Sequence, residues 1–99
     1  LETLRFDYPA KKILNCHAHV GVVGSGDLEI LLTPSNESNA KVIVRTGSRG
    51  FEKTWGEVLA RFFTLNDIAA TIKINDFGAT PGVVSLRLAQ ALEVSQNES

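Results

Sequence analysis

Two runs in which apolar and polar residues alternate, parted by a serine between two glycines, constrain this chain more than any other feature. Leu14, Cys16, Ala18, Val20 and Val22 share one face of a period-two repeat, and Asn15, His17, His19 and Gly21 share the other. That pattern predicts a half-buried strand over 14–22. After Gly24-Ser25-Gly26 the same period returns at Leu28, Ile30 and Leu32, so a second strand follows and the three residues between fit a short hairpin loop. Ser25 then stands at an exposed tip, where flanking glycines supply positive φ and leave room for another molecule to approach.

The remaining segments are read by the same rules. Leu4, Phe6 and Tyr8 alternate before Pro9 and mark a short strand or extended arm. Thr33 to Asn39 is polar and rich in turn formers, so it is a loop, and Val42 and Val44 mark a third strand ending near Thr46. Beyond a second glycine-bracketed loop, Gly47-Ser48-Arg49-Gly50, the period changes. Phe51, Trp55, Val58, Leu59 and Phe62 recur at helical spacing up to Asn66-Asp67. Ile72 and Ile74 make a fourth strand. The turn Asp76 to Gly82 then leads into a last helix, with Thr80 as N-cap and Pro81 as first residue. Val84, Leu86 and Leu88 also alternate as a strand would, but the helix formers from Leu88 to Glu93 favour helix. Ser95 to Ser99 reads as a frayed, disordered tail, which leaves residues 1–94 as one domain.

The order β-β-β-α-β-α predicts an α+β fold: an antiparallel sheet of four strands, or five if the N-terminal arm joins, with two helices on one face. If each element crosses the domain once, the three glycine-rich loops and the N-terminus of the last helix share one end with Ser25. The outer sheet face, with Asn15, His17, His19, Lys41, Arg45 and Lys73, is left to solvent or a partner.

Composition narrows the function classes. A chain of 99 residues supports one core. A net charge of −1 gives no case for nucleic acid or an anionic membrane. No apolar run nears the roughly 20 residues that span a bilayer, and the first residues do not read as a signal peptide, so a cytosolic chain is expected. The single cysteine, Cys16, excludes an internal disulfide and agrees with that placement. Asn36-Glu37-Ser38 and Asn97-Glu98-Ser99 match the glycosylation pattern, which has no consequence without secretion.

Few residues offer chemistry. His17 and His19 point the same way from a strand, but two ligands do not close a zinc site, and exposed strand histidines are the plainer reading. Cys16 is placed on the inner face as an inert thiol. Asp76-Phe77-Gly78 lacks the companion loops of a kinase and reads as a strand-to-helix turn. Asp27 and Glu29 share a strand face and read as a solvated edge. The Ser25 loop is not a nucleophile elbow, because a strand follows the serine instead of a helix. Taken alone, Ser25 reads as the polar tip of a flexible hairpin, with Ser48 as its internal competitor.

Two blocks change that weighting. Gly21-Val22-Val23-Gly24-Ser25-Gly26-Asp27-Leu28-Glu29 and Asn75-Asp76-Phe77-Gly78-Ala79-Thr80-Pro81-Gly82-Val83-Val84 resemble the acyl carrier, or delta, subunit family of biotin-independent bacterial malonate decarboxylases. The resemblance runs from the N-terminal segment to about Glu93, and more distantly the chain is similar to the acyl carrier (gamma) subunit of citrate lyase. It implies that Ser25 carries 2′-(5″-phosphoribosyl)-3′-dephospho-coenzyme A through a phosphodiester, attached by a prosthetic-group transferase. It implies an arm whose thiol holds acetyl and then malonyl, an acyltransferase subunit that exchanges them, and decarboxylase subunits that release carbon dioxide. The chain itself is then a noncatalytic carrier, with chemistry supplied by cofactor and partners. The resemblance does not extend to the four-helix carriers of fatty acid synthesis.

Chemistry and the loop assignment together place Gly24 and Gly26 beside the attachment point. They also place Arg49 and free backbone N–H groups at Gly82 and Val83 near the cofactor phosphates. The competing class is a noncatalytic interaction module that binds a partner through its sheet face or edge.

Overall fold

The computed structural model describes residues 1–97, and among them four strands are followed by a helix, a fifth strand and a second helix. They are β1 (Glu2–Pro9), β2 (Ala18–Gly21), β3 (Leu28–Pro34), β4 (Asn39–Thr46), α1 (Glu52–Leu65), β5 (Ala70–Asp76) and α2 (Pro81–Gln96). The N-terminal arm does join the sheet. It pairs antiparallel with β4 at one edge, which makes the sheet five-stranded in the order β1-β4-β5-β3-β2.

One pair departs from the antiparallel expectation. β4 and β5 run parallel, because α1 carries the chain back across the sheet between them. The other three pairs are antiparallel. The α+β class therefore stands, with a sheet that is mostly antiparallel.

Alternation puts the core where the sequence places it. Leu28, Ile30, Leu32, Val42, Val44, Ile72 and Ile74 point inward from the three central strands and meet Trp55 and Leu59 of α1 and Val84, Leu88 and Ala91 of α2. Each such aliphatic side chain contributes about 1.5–3 kcal/mol when fully withdrawn from water. Both helices therefore cover one face of the sheet. Thr80 caps α2, its hydroxyl accepting from the Val83 N–H at 3.3 Å, and Pro81 fills the first turn.

The strand expected over 14–22 is the largest local correction. Only Ala18–Gly21 pairs with β3, because the chain bends at Asn15 and Cys16 to meet the end of α2. Both backbone N–H groups donate to the Ser95 carbonyl, at 3.2 and 3.1 Å, and the Asn15 side chain donates to the Gln96 carbonyl at 3.1 Å. A helix C-terminus leaves its last carbonyls unpaired, and this bend supplies them with donors. Cys16 is accordingly half-buried against α2, its thiol donating to the Val94 carbonyl at 3.1 Å, instead of lying on the inner sheet face. Asn15 and His17 likewise precede β2 and do not belong to its outer face.

The same contact corrects the expected tail. α2 continues through Gln96 and Ser95 is fully buried, so order persists past residue 94. Positions 98 and 99 lie outside the described residues. No helix among the described residues is long and apolar enough to cross a membrane.

Candidate functional site

The loop that carries Ser25 is longer than a three-residue hairpin. β2 stops at Gly21 and β3 starts at Leu28, so Val22 and Val23 leave the sheet and stand exposed. The turn proper spans Gly24 to Asp27 and is closed by the Asp27 N–H donating to the Gly24 carbonyl at 3.1 Å. Its third residue, Gly26, has φ +80, as a type II turn requires, and a Cβ built there meets nothing within 4 Å. Ser25, the second residue, is exposed.

This loop is pinned on both sides. The Gly26 N–H donates to the Phe77 carbonyl at 2.8 Å and the Phe77 N–H donates to the Asp27 carbonyl at 2.9 Å, so the β3–β5 ladder extends into the turn. On the helix side Arg87 of α2 grips Asp27, with Nε donating to Oδ1 at 3.1 Å and one terminal nitrogen donating to Oδ2 at 2.5 Å. Asp27 Oδ1 also accepts from the Leu28 N–H at 2.7 Å. The expected Asp27 and Glu29 pair is therefore split. Asp27 turns to α2, while Glu29 lies on the outer sheet face, accepting from Asn75 at 3.0 Å and meeting His19 Nε2 at 2.8 Å.

The Arg87 guanidinium hydrogen bonds, aided by the Leu28 N–H, hold the Asp27 carboxyl below the usual aspartate range. Hydrogen bonds from Asn75 and then His19 lower Glu29 in the same direction. For Asp27 the folded-state value is depressed, so its stabilisation is complete above the ordinary unfolded value of about 3.9. It is lost as pH falls through the lower folded value. The gap in melting temperature between the parent and an Asp27→Asn variant is expected to be widest near neutral pH and to narrow below the ordinary aspartate range. A gap independent of pH from neutral to strongly acidic solution would show that the pair does not stabilise the folded state.

Asp76 ties the second and third loops together. It is buried, accepting from the Thr46 hydroxyl at 2.9 Å and from the Ala79 N–H at 3.0 Å. Thr46 Oγ1 in turn accepts from the Ser48 N–H at 3.0 Å. The three glycine-rich loops do share one end of the sheet. A shallow groove there is lined by Leu1, Val23, Gly24, Ser25, Gly47, Ser48, Asp76, Phe77 and Gly78. That lining holds no histidine, lysine or arginine, and its one carboxylate, Asp76, is already engaged with Thr46 and Ala79.

The other anticipated residues take distinct places. Arg49 is exposed in the loop next to Ser48, and Gly82 and Val83 occupy the first turn of α2. None of the three lines the Ser25 groove. The Val83 N–H is not free, because the Thr80 cap takes it. Sequence reasoning missed Arg87 and the structural use of Asp76. For Asp76 a signal existed: an aspartate three residues before Ala79, ahead of a capped helix, is placed to accept that N–H. Nothing in the sequence links Arg87 to Asp27, sixty positions away.

With this geometry in view, the relationships of the chain are specific. Residues 15–95 match the family described as malonate decarboxylase delta subunit (MdcD). The chain is 48% identical over 94 residues to the malonate decarboxylase acyl carrier protein of Pseudomonas aeruginosa (strain UCBPP-PA14), covering 94% of this chain and 95% of the relative. It is 45% identical over 98 residues to the protein of that name from Azotobacter vinelandii, covering 98% and 99%. The fold superposes with a TM-score of 0.90 on a chain of a Pseudomonas malonate decarboxylase hetero-tetramer crystallised in complex with malonate, at 44% identity over 95% of this chain and 98% of that one. This chain belongs to the delta-subunit family of malonate decarboxylase acyl carrier proteins.

Proposed function

We propose that Ser25 is the attachment point of a phosphoribosyl-dephospho-coenzyme A arm, and that the chain carries acyl groups on this arm between the catalytic subunits of a malonate decarboxylase. The observation that carries the reading is an exposed hydroxyl at the second position of a turn that the sheet and Arg87 hold still. The residues present fit such a group. Gly26 leaves open space beside the hydroxyl, and the groove runs on past Gly47 and Gly78 without side chains to block it. When bound, the group supplies a thiol for acetyl and malonyl thioesters.

The chain's own part is positioning. Ser25 presents its oxygen, which loses its proton to a transferase as the phosphodiester forms and the donor's leaving group departs. The base is assigned to that transferase, because the groove's one carboxylate, Asp76, is buried and accepts from Thr46 and Ala79 through both oxygens. Val22, Val23 and Phe77 stand exposed around the hydroxyl and offer apolar surface to the enzymes that must reach it. Partners of this kind are an acyltransferase subunit and decarboxylase subunits, with the cytoplasm as the setting in which they meet.

Incubating the chain with the transferase and its nucleotide donor, followed by intact mass spectrometry, tests the reading. One adduct of the phosphoribosyl-dephospho-coenzyme A mass is expected, and an unchanged mass would refute it. Arg49, exposed beside the groove, is proposed to attract the arm's phosphates, with the Gly82 N–H at the start of α2 assisting. An Arg49→Ala variant is expected to be modified about threefold to tenfold more slowly, the effect of losing one exposed charge contact of roughly 1 kcal/mol. Modification at the parent rate would remove Arg49 from the site.

A further inference from the structure

Beside the Ser25 groove lies a second, more enclosed depression between α1 and the start of α2. It has a volume of about 360 Å³, and Phe51, Trp55, Val58, Ala79, Pro81 and Val84 form its apolar walls. That size falls at the small end of the range for ligand pockets, roughly 300–1,000 Å³. The two depressions adjoin, with Ser48, Asp76 and Gly78 in the lining of both. Gly78, with φ +93 and no side chain, stands between them, and a Cβ built there would reach the Gly26 nitrogen at 3.9 Å, an ordinary contact. A Cβ built on Gly47, on the groove side, meets nothing within 4 Å.

We propose that this cavity shelters the acetyl thioester at the end of an arm anchored on Ser25 and turns away the malonyl thioester. The inference rests on the carrier reading above and adds to it a distinction between the two acyl states. The cavity shares part of its lining with the groove that holds Ser25, and Trp55 and Val58 stand in its apolar wall. A methyl group gains by leaving water for such walls.

A malonyl carboxylate does not. It would lose its hydration among mostly apolar side chains, with only the hydroxyls of Ser48 and Thr54 and the Trp55 indole as side-chain donors in the lining, and would face the buried carboxylate of Asp76. Asp76 already accepts from Thr46 and Ala79 through both oxygens, so it brings like charge and no donor. The acetyl form is thereby protected from hydrolysis while it waits, and the malonyl form stays outside, accessible to the decarboxylase.

Trp55 is the only tryptophan of the chain and lies in the cavity wall, which provides the readout. The apo chain, the acetyl-loaded chain and the malonyl-loaded chain are compared, each certified by intact mass. In the acetyl form the Trp55 indole ¹H–¹⁵N signal is expected to move and to show contacts with a ¹³C-labelled acetyl methyl. In the malonyl form it is expected to stay at its apo position.

Two variants extend the comparison. Val58→Glu, which adds a carboxylate to the wall, is expected to return the acetyl form to the apo signal. Phe51→Ala, at an exposed position on the rim, is expected to speed hydrolysis of the acetyl thioester roughly fourfold, the equivalent of one methyl-sized burial. A loaded chain of correct mass whose Trp55 signal is the same in all three states, or moves equally with either acyl group, overturns this inference and leaves the carrier reading intact. Absence of any adduct overturns both.

Discussion

Replacing Gly21 by alanine is expected to destabilise the protein by roughly 2–5 kcal/mol, summing about 1–2 kcal/mol for a left-handed backbone and about 1–3 kcal/mol for an overpacked contact. Gly21 closes β2 with φ +86, and a Cβ built on it lies 1.9 Å from the Leu28 carbonyl oxygen. That oxygen is backbone, held in β3 between β5 and β2, so it cannot yield without breaking the pairs Gly21↔Glu29 and Leu28↔Asp76. The loss should lower the melting temperature by more than about 10 °C in a domain of this size. Gly26→Ala is the control. It has a similar φ of +80 but open space where the Cβ would go, so only the backbone cost of about 1–2 kcal/mol applies. Thermal unfolding of the two variants side by side checks the argument, and equal losses would contradict it.

The second large effect is chemical. Ser25→Ala is expected to fold as the parent does, because an exposed side chain removed from a surface turn changes stability by no more than about 0.5 kcal/mol. It is also expected to lose acceptance of the prosthetic group altogether. The contrast matters, since it separates loss of the acceptor from loss of the fold that presents it. Circular dichroism melting and intact mass after transferase treatment read the two halves. An adduct on the alanine variant would move the site, and Ser48, half-buried, is the other serine in the lining of the same groove.

How much of this was legible in the sequence depended on whether the signal was local. The alternation at Val42–Val44 and Ile72–Ile74, the helical stripe from Trp55 to Phe62, and the Thr80-Pro81 start of α2 each rest on neighbours a few residues apart, and each was placed correctly. The convergence of three glycine-rich loops at one end also followed from counting crossings. What failed depended on distant partners. The alternation from Leu14 to Val22 promised one long strand, but the carbonyls at the end of α2 needed donors and took Asn15 and Cys16 out of the sheet.

The site shows the same division. Ser25 and its glycines were readable because a turn of this kind is written in adjacent residues. The free N–H expected at Val83 was lost to Thr80, although Thr80 had itself been identified as the cap, and a cap of that type consumes this donor. Arg87 went unseen because its partner Asp27 is far away in sequence and near only after α2 packs beside β3. Local patterns thus identified the group that is presented, and tertiary packing decided how firmly it is held.

Peptide mapping of the protein purified from the cell that makes it decides whether Ser25 bears the arm. A phosphoribosyl-dephospho-coenzyme A mass is expected on the peptide containing Val22 to Leu28, with fragment ions that assign it to Ser25. A chain isolated from an actively malonate-degrading culture with that peptide unmodified, or with the adduct on another residue, would contradict it.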